Sequence, residues 1–140
     1  MPRSRSVLSV LALALLASSC SNDGTASCFA LIGPASLIYP IPGSTGVPDT
    51  LGSLVFFDAP NADQISLHAG SATIQAGAIG APPSPLPSPI ATLLSSSVGL
   101  QGASVPALQP ATTYDVSVFQ PNGVDCGPAR SYSIGRFTTR

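Results

Sequence analysis

The chain has 140 residues, five arginines, no lysine, six aspartates, no glutamate and one histidine, giving a formal net charge of −1. So few cations cannot neutralise many phosphates, which excludes nucleic-acid binding as a main function. Helix formers such as Lys and Glu are missing while Val, Ile, Thr, Ser and Gly are plentiful. With 15 prolines and 13 glycines spaced along the chain, this favours short strands and turns over helices.

The first segment is not part of a folded domain. Arg3 and Arg5 precede an apolar run over residues 7–17, interrupted only by Ser9, and Ser18, Ser19 and Cys20 follow. This is the three-part layout of a secretory signal, and the run is shorter than the roughly 20 apolar residues needed to span a bilayer. It resembles the bacterial lipoprotein signal, in which cleavage falls just before a cysteine that carries lipid. Leu16 stands one place earlier than that family prefers, with Ala17 in the favoured position. An ordinary secretory signal is the competing reading, because Ala17 and Ser19 also suit a general signal peptidase.

The resemblance implies a signal peptide over 1–19, fatty acid (palmitate) on Cys20, and a lipidated cysteine and tether over 20–33. It also implies export and a membrane partner reached through the N-terminal lipid. Ser21 points to an outer membrane, where the cell has one. After cleavage three arginines face six aspartates. With Cys20 lipidated, Cys28 and Cys126 remain as an even pair in an oxidising compartment, and a disulfide between them is expected. Two unpaired, partly buried thiols are the alternative.

Residues 36–39 (SLIY) predict a first strand, confined to a sheet edge by Pro40 and Pro42, with a turn over 42–48. Residues 51–58 (LGSLVFFD) form an almost unbroken apolar run, which predicts a strand buried on both faces. Asp58, Pro60, Asn61 and Asp63 break it. In residues 64–69, Ile65 and Leu67 alternate with Ser66 and His68, a half-buried strand. Gly70 and Ser71 turn into another strand over 72–76. Residues 77–90, ending APPSPLPSP, predict a long loop with polyproline character. Residues 91–105 have no clean period and are assigned one or two short strands. Residues 112–119 predict the clearest strand, with Tyr114, Val116 and Val118 on one face and Asp115 and Ser117 on the other. A loop containing Cys126 follows. The last strand, over 131–139, changes parity before Phe137, and a bulge at Gly135–Arg136 would return that ring to the core.

Seven or eight short strands with frequent turns predict an all-β sandwich. At Leu108, Pro110, Thr112 and Tyr114 the chain resembles a fibronectin type III or bacterial Ig-like domain, which carries a Leu-x-Pro-x-Thr-x-Tyr segment before its penultimate strand. The turn over 42–48 resembles the opening of bacterial Ig-like repeats, and residues 135–139 (GRFTT) their closing strand. The resemblance implies an Ig-like domain over 34–140 and a tyrosine corner, in which the Tyr114 hydroxyl bonds upstream backbone. The middle, 77–105, departs from the family, and the tryptophan common in such cores is absent, with Phe56 and Phe57 as substitutes.

Other candidate sites are weaker. His68 lacks the partner set for catalysis or metal binding. Asp58, Asn61 and Asp63 could offer oxygens to calcium, but calcium takes six to eight of them and turn chemistry explains these residues as well. No serine sits in a Gly-x-Ser-x-Gly elbow. The expectation is a non-catalytic module without metal or cofactor, structural or adhesive in the cell envelope. A binding module for a glycan, a peptide or an envelope partner protein is the alternative.

Overall fold

A computed structural model describes residues 35–57, 59, 62–94, 98–121 and 128–140. The expected signal segment 1–19, the expected lipidated Cys20 and tether over 20–33, Cys28, Asp58, Asn61 and Cys126 lie outside the described residues. Seven strands are described: β1 (Ser36–Tyr39), β2 (Ser53–Phe57), β3 (Gln64–Ala69), β4 (Ala72–Gln75), β5 (Leu100–Ser104), β6 (Thr113–Gln120) and β7 (Arg130–Thr138). A single helical turn, α1 (Ser88–Ala91), lies between β4 and β5.

The strands form two antiparallel sheets, one of order β1-β2-β5 and one of order β4-β3-β6-β7. This is the all-β sandwich expected, with seven strands. The fourth strand pairs with β3 at the edge of the four-stranded sheet. Alternation places the core between the layers. Leu37, Leu54, Phe56 and Ala103 from one sheet meet Ile65, Leu67, Tyr114, Val116, Val118 and Phe137 from the other. The β3 and β6 periodicities run as expected, since Ile65, Leu67, Val116 and Val118 are fully buried.

β2 is buried on both faces, as its apolar run predicts. Leu54 and Phe56 enter the main core, while Val55 points outward into a second cluster with Ile90 and Leu100, flanked by Ile38, Tyr39, Leu86 and Leu94. The cover comes from the proline-rich stretch. Gly77 N–H donates to the Ser104 carbonyl (2.8 Å), and Gly80 and Gly102 exchange two bonds of 2.9 Å, so this stretch first runs along the edge of β5. It then crosses the outer face of the sheet. Close approach requires Gly102, since a Cβ there would lie 3.0 Å from Pro82 Cα and 3.1 Å from the Ala81 carbonyl oxygen. Residues 88–91, split in expectation between loop and strand, form a helical turn instead. Proline is tolerated in a first turn because its missing N–H would be unpaired there anyway, and Pro89 occupies that turn. Of the strands expected over 91–105, one is described, β5.

Two features involve β7. Its bulge lies one residue earlier than expected: Val116 pairs with Gly135 and Ser117 with Ser133, leaving Ile134 as the extra residue. Parity is restored, and Phe137 is 1% exposed. Gly135 thereby faces the opposing sheet, where a Cβ would come 2.7 Å from Leu37 Cβ. The turn expected over 42–48 also does more than turn. Gly43 N–H donates to the Arg136 carbonyl (2.7 Å), Val47 N–H to that of Thr138 (3.1 Å), and Thr138 N–H to that of Ser44 (2.9 Å). After β1, therefore, the chain leaves the three-stranded sheet and lines the end of β7 in the other, stitching the layers together.

Candidate functional site

Two constellations stand out, the crossover from β5 to β6 and the outer face of the four-stranded sheet. At the crossover, Leu108 is 5% exposed and its N–H donates to the Asp49 carbonyl (2.8 Å). Tyr114 is 1% exposed, and its hydroxyl accepts the Gln109 N–H at 2.8 Å. This is tyrosine-corner geometry, with the hydroxyl accepting a backbone donor. Its ring lies 5.7 Å from that of Phe137. Pro110 is exposed, and its carbonyl accepts the Thr112 hydroxyl (2.8 Å). Ala111 takes a positive φ of 48°, a conformation that ordinarily costs a side-chain-bearing residue about 1–2 kcal/mol. Its N–H is secured on the Arg140 carbonyl (3.0 Å).

Sequence reasoning missed the hub of this corner. Thr139 is 3% exposed. Its hydroxyl accepts the Thr112 N–H (2.9 Å) and donates to the Gln109 carbonyl (2.7 Å), with the Thr112 carbonyl 3.1 Å away as a second acceptor. The corner thus binds Thr139, just past β7, to the backbone of the crossover. It is a structural fastening of backbone groups by the Tyr114 and Thr139 hydroxyls.

The outer face of the four-stranded sheet is polar because the other parity of each strand faces outward. Register places Thr73, His68, Asp115 and Arg136 in one row across β4, β3, β6 and β7. His68 Nδ1 is 3.1 Å from Thr73 Oγ1, and its Nε2 is 2.9 Å from Ser66 Oγ. Arg136 Nη2 donates to Asp115 Oδ2 at 3.0 Å. Burial on its own would raise the Asp115 carboxyl. Hydrogen bonds from Ser133 and Arg136, with the positive charges of Arg136 and His68, outweigh it and hold this group below the ordinary aspartate value.

The Ser66–His68 pair has the contact that opens a hydrolytic triad, a hydroxyl on Nε2. The third member is not in place, since Nδ1 meets a threonine hydroxyl and the neighbouring carboxylate is engaged by Arg136. Sequence could have signalled the pair, because residues two apart on a strand share a face. Surface hollows of about 190, 280 and 300 Å³ lie elsewhere among the described residues. Each is lined by at most one titratable side chain, Tyr39 in the first and Asp63 in the third. Among the described residues no group of three or more His, Cys, Asp or Glu side chains is placed to hold a metal ion. Asp63 is exposed and its N–H donates to the Phe119 carbonyl (2.9 Å), while its proposed calcium co-ligands Asp58 and Asn61 lie outside the described residues.

No protein-family model matches the chain, and no curated protein sequence matches it.

Proposed function

We propose that this chain is an exported lipoprotein, anchored through fatty acid on Cys20, whose sandwich domain has a non-catalytic structural or adhesive role in the cell envelope. The N-terminal pattern carries this reading: Arg3 and Arg5, the apolar run over 7–17, then Ser18, Ser19 and Cys20. The fold is compatible with it. The first described strand, β1, starts at Ser36, sixteen positions after Cys20. Both constellations of the domain have structural explanations, one as a crossover fastening and one as a solvated face.

A disulfide between Cys28 and Cys126 belongs to the same reading. The described residues nearest the two cysteines support the pairing: Ser36 pairs with Phe57 at the end of β2, and Gln120 pairs with Arg130 beside the start of β3, at the same end of the sandwich. Closing a loop of about 100 residues stabilises by up to about 4.7 kcal/mol in the chain-entropy model.

Protein purified from its native membrane, digested without reduction and mapped by mass spectrometry, reads both features. The expected result is an acylated peptide beginning at Cys20 and a peptide pair linked through Cys28 and Cys126. An N-terminus other than Cys20, without lipid, overturns the anchor, and free thiols at both Cys28 and Cys126 overturn the disulfide. The envelope role is tested by deletion, with increased permeability to a normally excluded dye expected. A deletion strain with unchanged permeability and surface attachment contradicts that role.

A further inference from the structure

We propose that the outer edge of β4 is a dimerisation surface, on which a second copy of this chain adds its own β4 in antiparallel register centred on Ile74. The pairing goes beyond the anchored reading above and does not depend on it. The outer strands of the described sandwich are β1 and β5 in one sheet and β4 and β7 in the other. Three of these edges are protected. β5 is lined by residues 77–80, with Gly77 N–H on the Ser104 carbonyl and Gly80 and Gly102 exchanging two bonds. β7 is bulged at Ile134 and lined by residues 43–47 beyond it. β1 shifts register between Leu37 and Tyr39 and runs into Pro40 and Pro42. Bulges, prolines and covering segments are the devices that keep an edge from pairing with another chain. β4 has none of them among the described residues. It pairs with β3 in unbroken register, its other side has no described backbone partner, and residues 69–80 contain neither charge nor proline.

Register fixes which groups the edge offers. Ala76 N–H donates to the Ile65 carbonyl (2.9 Å). By alternation Ile74 and Ala72 also turn their backbone groups to β3, and Thr73 and Gln75 turn theirs outward. The sequence here has the same pattern from either end: Ala72, Thr73, Ile74, Gln75, Ala76. An antiparallel second copy therefore sets Thr73 opposite the partner's Gln75 and Gln75 opposite the partner's Thr73, closing both outward pairs through backbone bonds. Ile74 meets its own counterpart on the two-fold axis, in the closer, non-hydrogen-bonded kind of pair, and Ala72 meets Ala76. On the inner parity every such contact is apolar. Ile74 is half-buried in the single chain and packs on the core, and a second Ile74 extends that core. On the outer parity Thr73 and Gln75, both exposed, meet as neutral hydrogen-bonding pairs, so no like charges face each other across the axis. A strand of different sequence would make the backbone bonds but lose this matching, and the edge thus selects its own copy. Each chain uses up its β4, so assembly through this edge stops at two. Five residues a side are few against the roughly 20–30 of a standard interface, and the dimer is accordingly weak and reversible.

Charge placed on the outer parity tests the pairing without touching the ladder to β3. The full chain, purified as the cell makes it and held in an excess of density-matched detergent micelles, is followed by sedimentation equilibrium across protein concentration. The expected result is a mass rising from one chain to two. Thr73→Lys with Gln75→Lys sets like charges opposite each other in both outer pairs, and Thr73→Glu with Gln75→Glu does the same, so each variant alone should stay at one chain. An equimolar mixture of the two should regain the mass of two, because opposite charges then face across the axis. This rescue distinguishes the edge from a folding defect, which mixing does not repair. A parent chain that stays single at every concentration overturns the proposal. So does a lysine variant that dimerises as the parent does, which places the contact elsewhere, and so do variants that stay single after mixing. A photo-cross-linking residue at position 75, irradiated in intact cells, reads the same contact in place. Adducts between two copies are expected, and adducts to a different protein alone overturn the second copy as occupant. None of these failures bears on fatty acid at Cys20, which the N-terminal peptide reports separately.

Discussion

The two outer faces of this sandwich have opposite fates. The outer face of β4-β3-β6-β7 is polar and meets solvent with the row Thr73, His68, Asp115 and Arg136. The outer face of β1-β2-β5 holds Val55, which is fully buried, because residues 86–94 lie across it and supply Leu86, Ile90 and Leu94. The two-sheet sandwich thus carries a partial third layer on one outer face and none of the described residues across the other. The outward parity of each strand records this: Asp115 and Ser117 on β6, Val55 on β2. A strand that is apolar at both parities announces a further layer, even when the covering segment looks like loop.

The strongest way to break this comparison is to place a charge on each outer face. Val55→Asp puts a carboxylate under Ile90 with no partner, and an uncompensated buried charge costs about 3–5 kcal/mol. Thr73→Asp puts the same group on the exposed edge strand beside His68, where surface changes stay within about 0.5 kcal/mol. Urea denaturation of both variants should show a large fall in midpoint for the first and almost none for the second. Similar midpoints would mean that residues 86–94 do not seal β2.

The tyrosine corner belongs to neither outer face, because it fastens the crossover between the sheets. Tyr114→Phe keeps the ring against Phe137 and removes only the acceptor for the Gln109 N–H. The expected loss is about 1 kcal/mol, the net worth of a typical hydrogen bond, read as a lower midpoint with an unchanged denaturant slope. Hydrogen exchange should quicken at Gln109. Exchange there equal to that of the parent protein would show that the hydroxyl does not hold this amide.

These features differ in how far the sequence reveals them. β3 and β6 alternate cleanly, so their inward residues can be read at once, and Leu108 to Tyr114 carries the corner in its side chains. The parity change before Phe137 reveals a bulge but not its exact place, because Ile134 and Gly135 can each serve as the extra residue. Two backbone pairings leave almost no trace, those of Gly43 to Val47 with β7 and of Gly77 to Gly80 with β5. Their bonds join main-chain groups, and glycine and proline at these positions signal turns equally well. The helical turn at 88–91 is hidden among prolines, since a four-residue helix has no room for a period. The contacts of His68 depend on Thr73, which becomes a neighbour only once β4 is paired in register.

The smallest expected effect sharpens the comparison at the polar face. There the Asp115–Arg136 pair is solvated, with Arg136 67% exposed at its side chain, and exposed pairs contribute about 0.2–1 kcal/mol. Asp115 has a folded-state pKa below its ordinary value, so its contribution is fully present above the unfolded aspartate value of about 3.9. It is lost as pH falls through the lower folded value, because the folded state then takes up the proton that the unfolded state has already bound. Asp115→Asn should therefore lower stability by a few tenths of a kcal/mol (about 0.2–1 at most) at neutral pH and low salt. The difference should shrink in high salt, where exposed charges are screened, and should vanish in acid. A difference that survives acid would assign the effect to the hydrogen-bond geometry of the carboxamide. Loss of more than about 2 kcal/mol at neutral pH would place this row in a drier environment than a solvated sheet face, since exposed pairs do not reach that value.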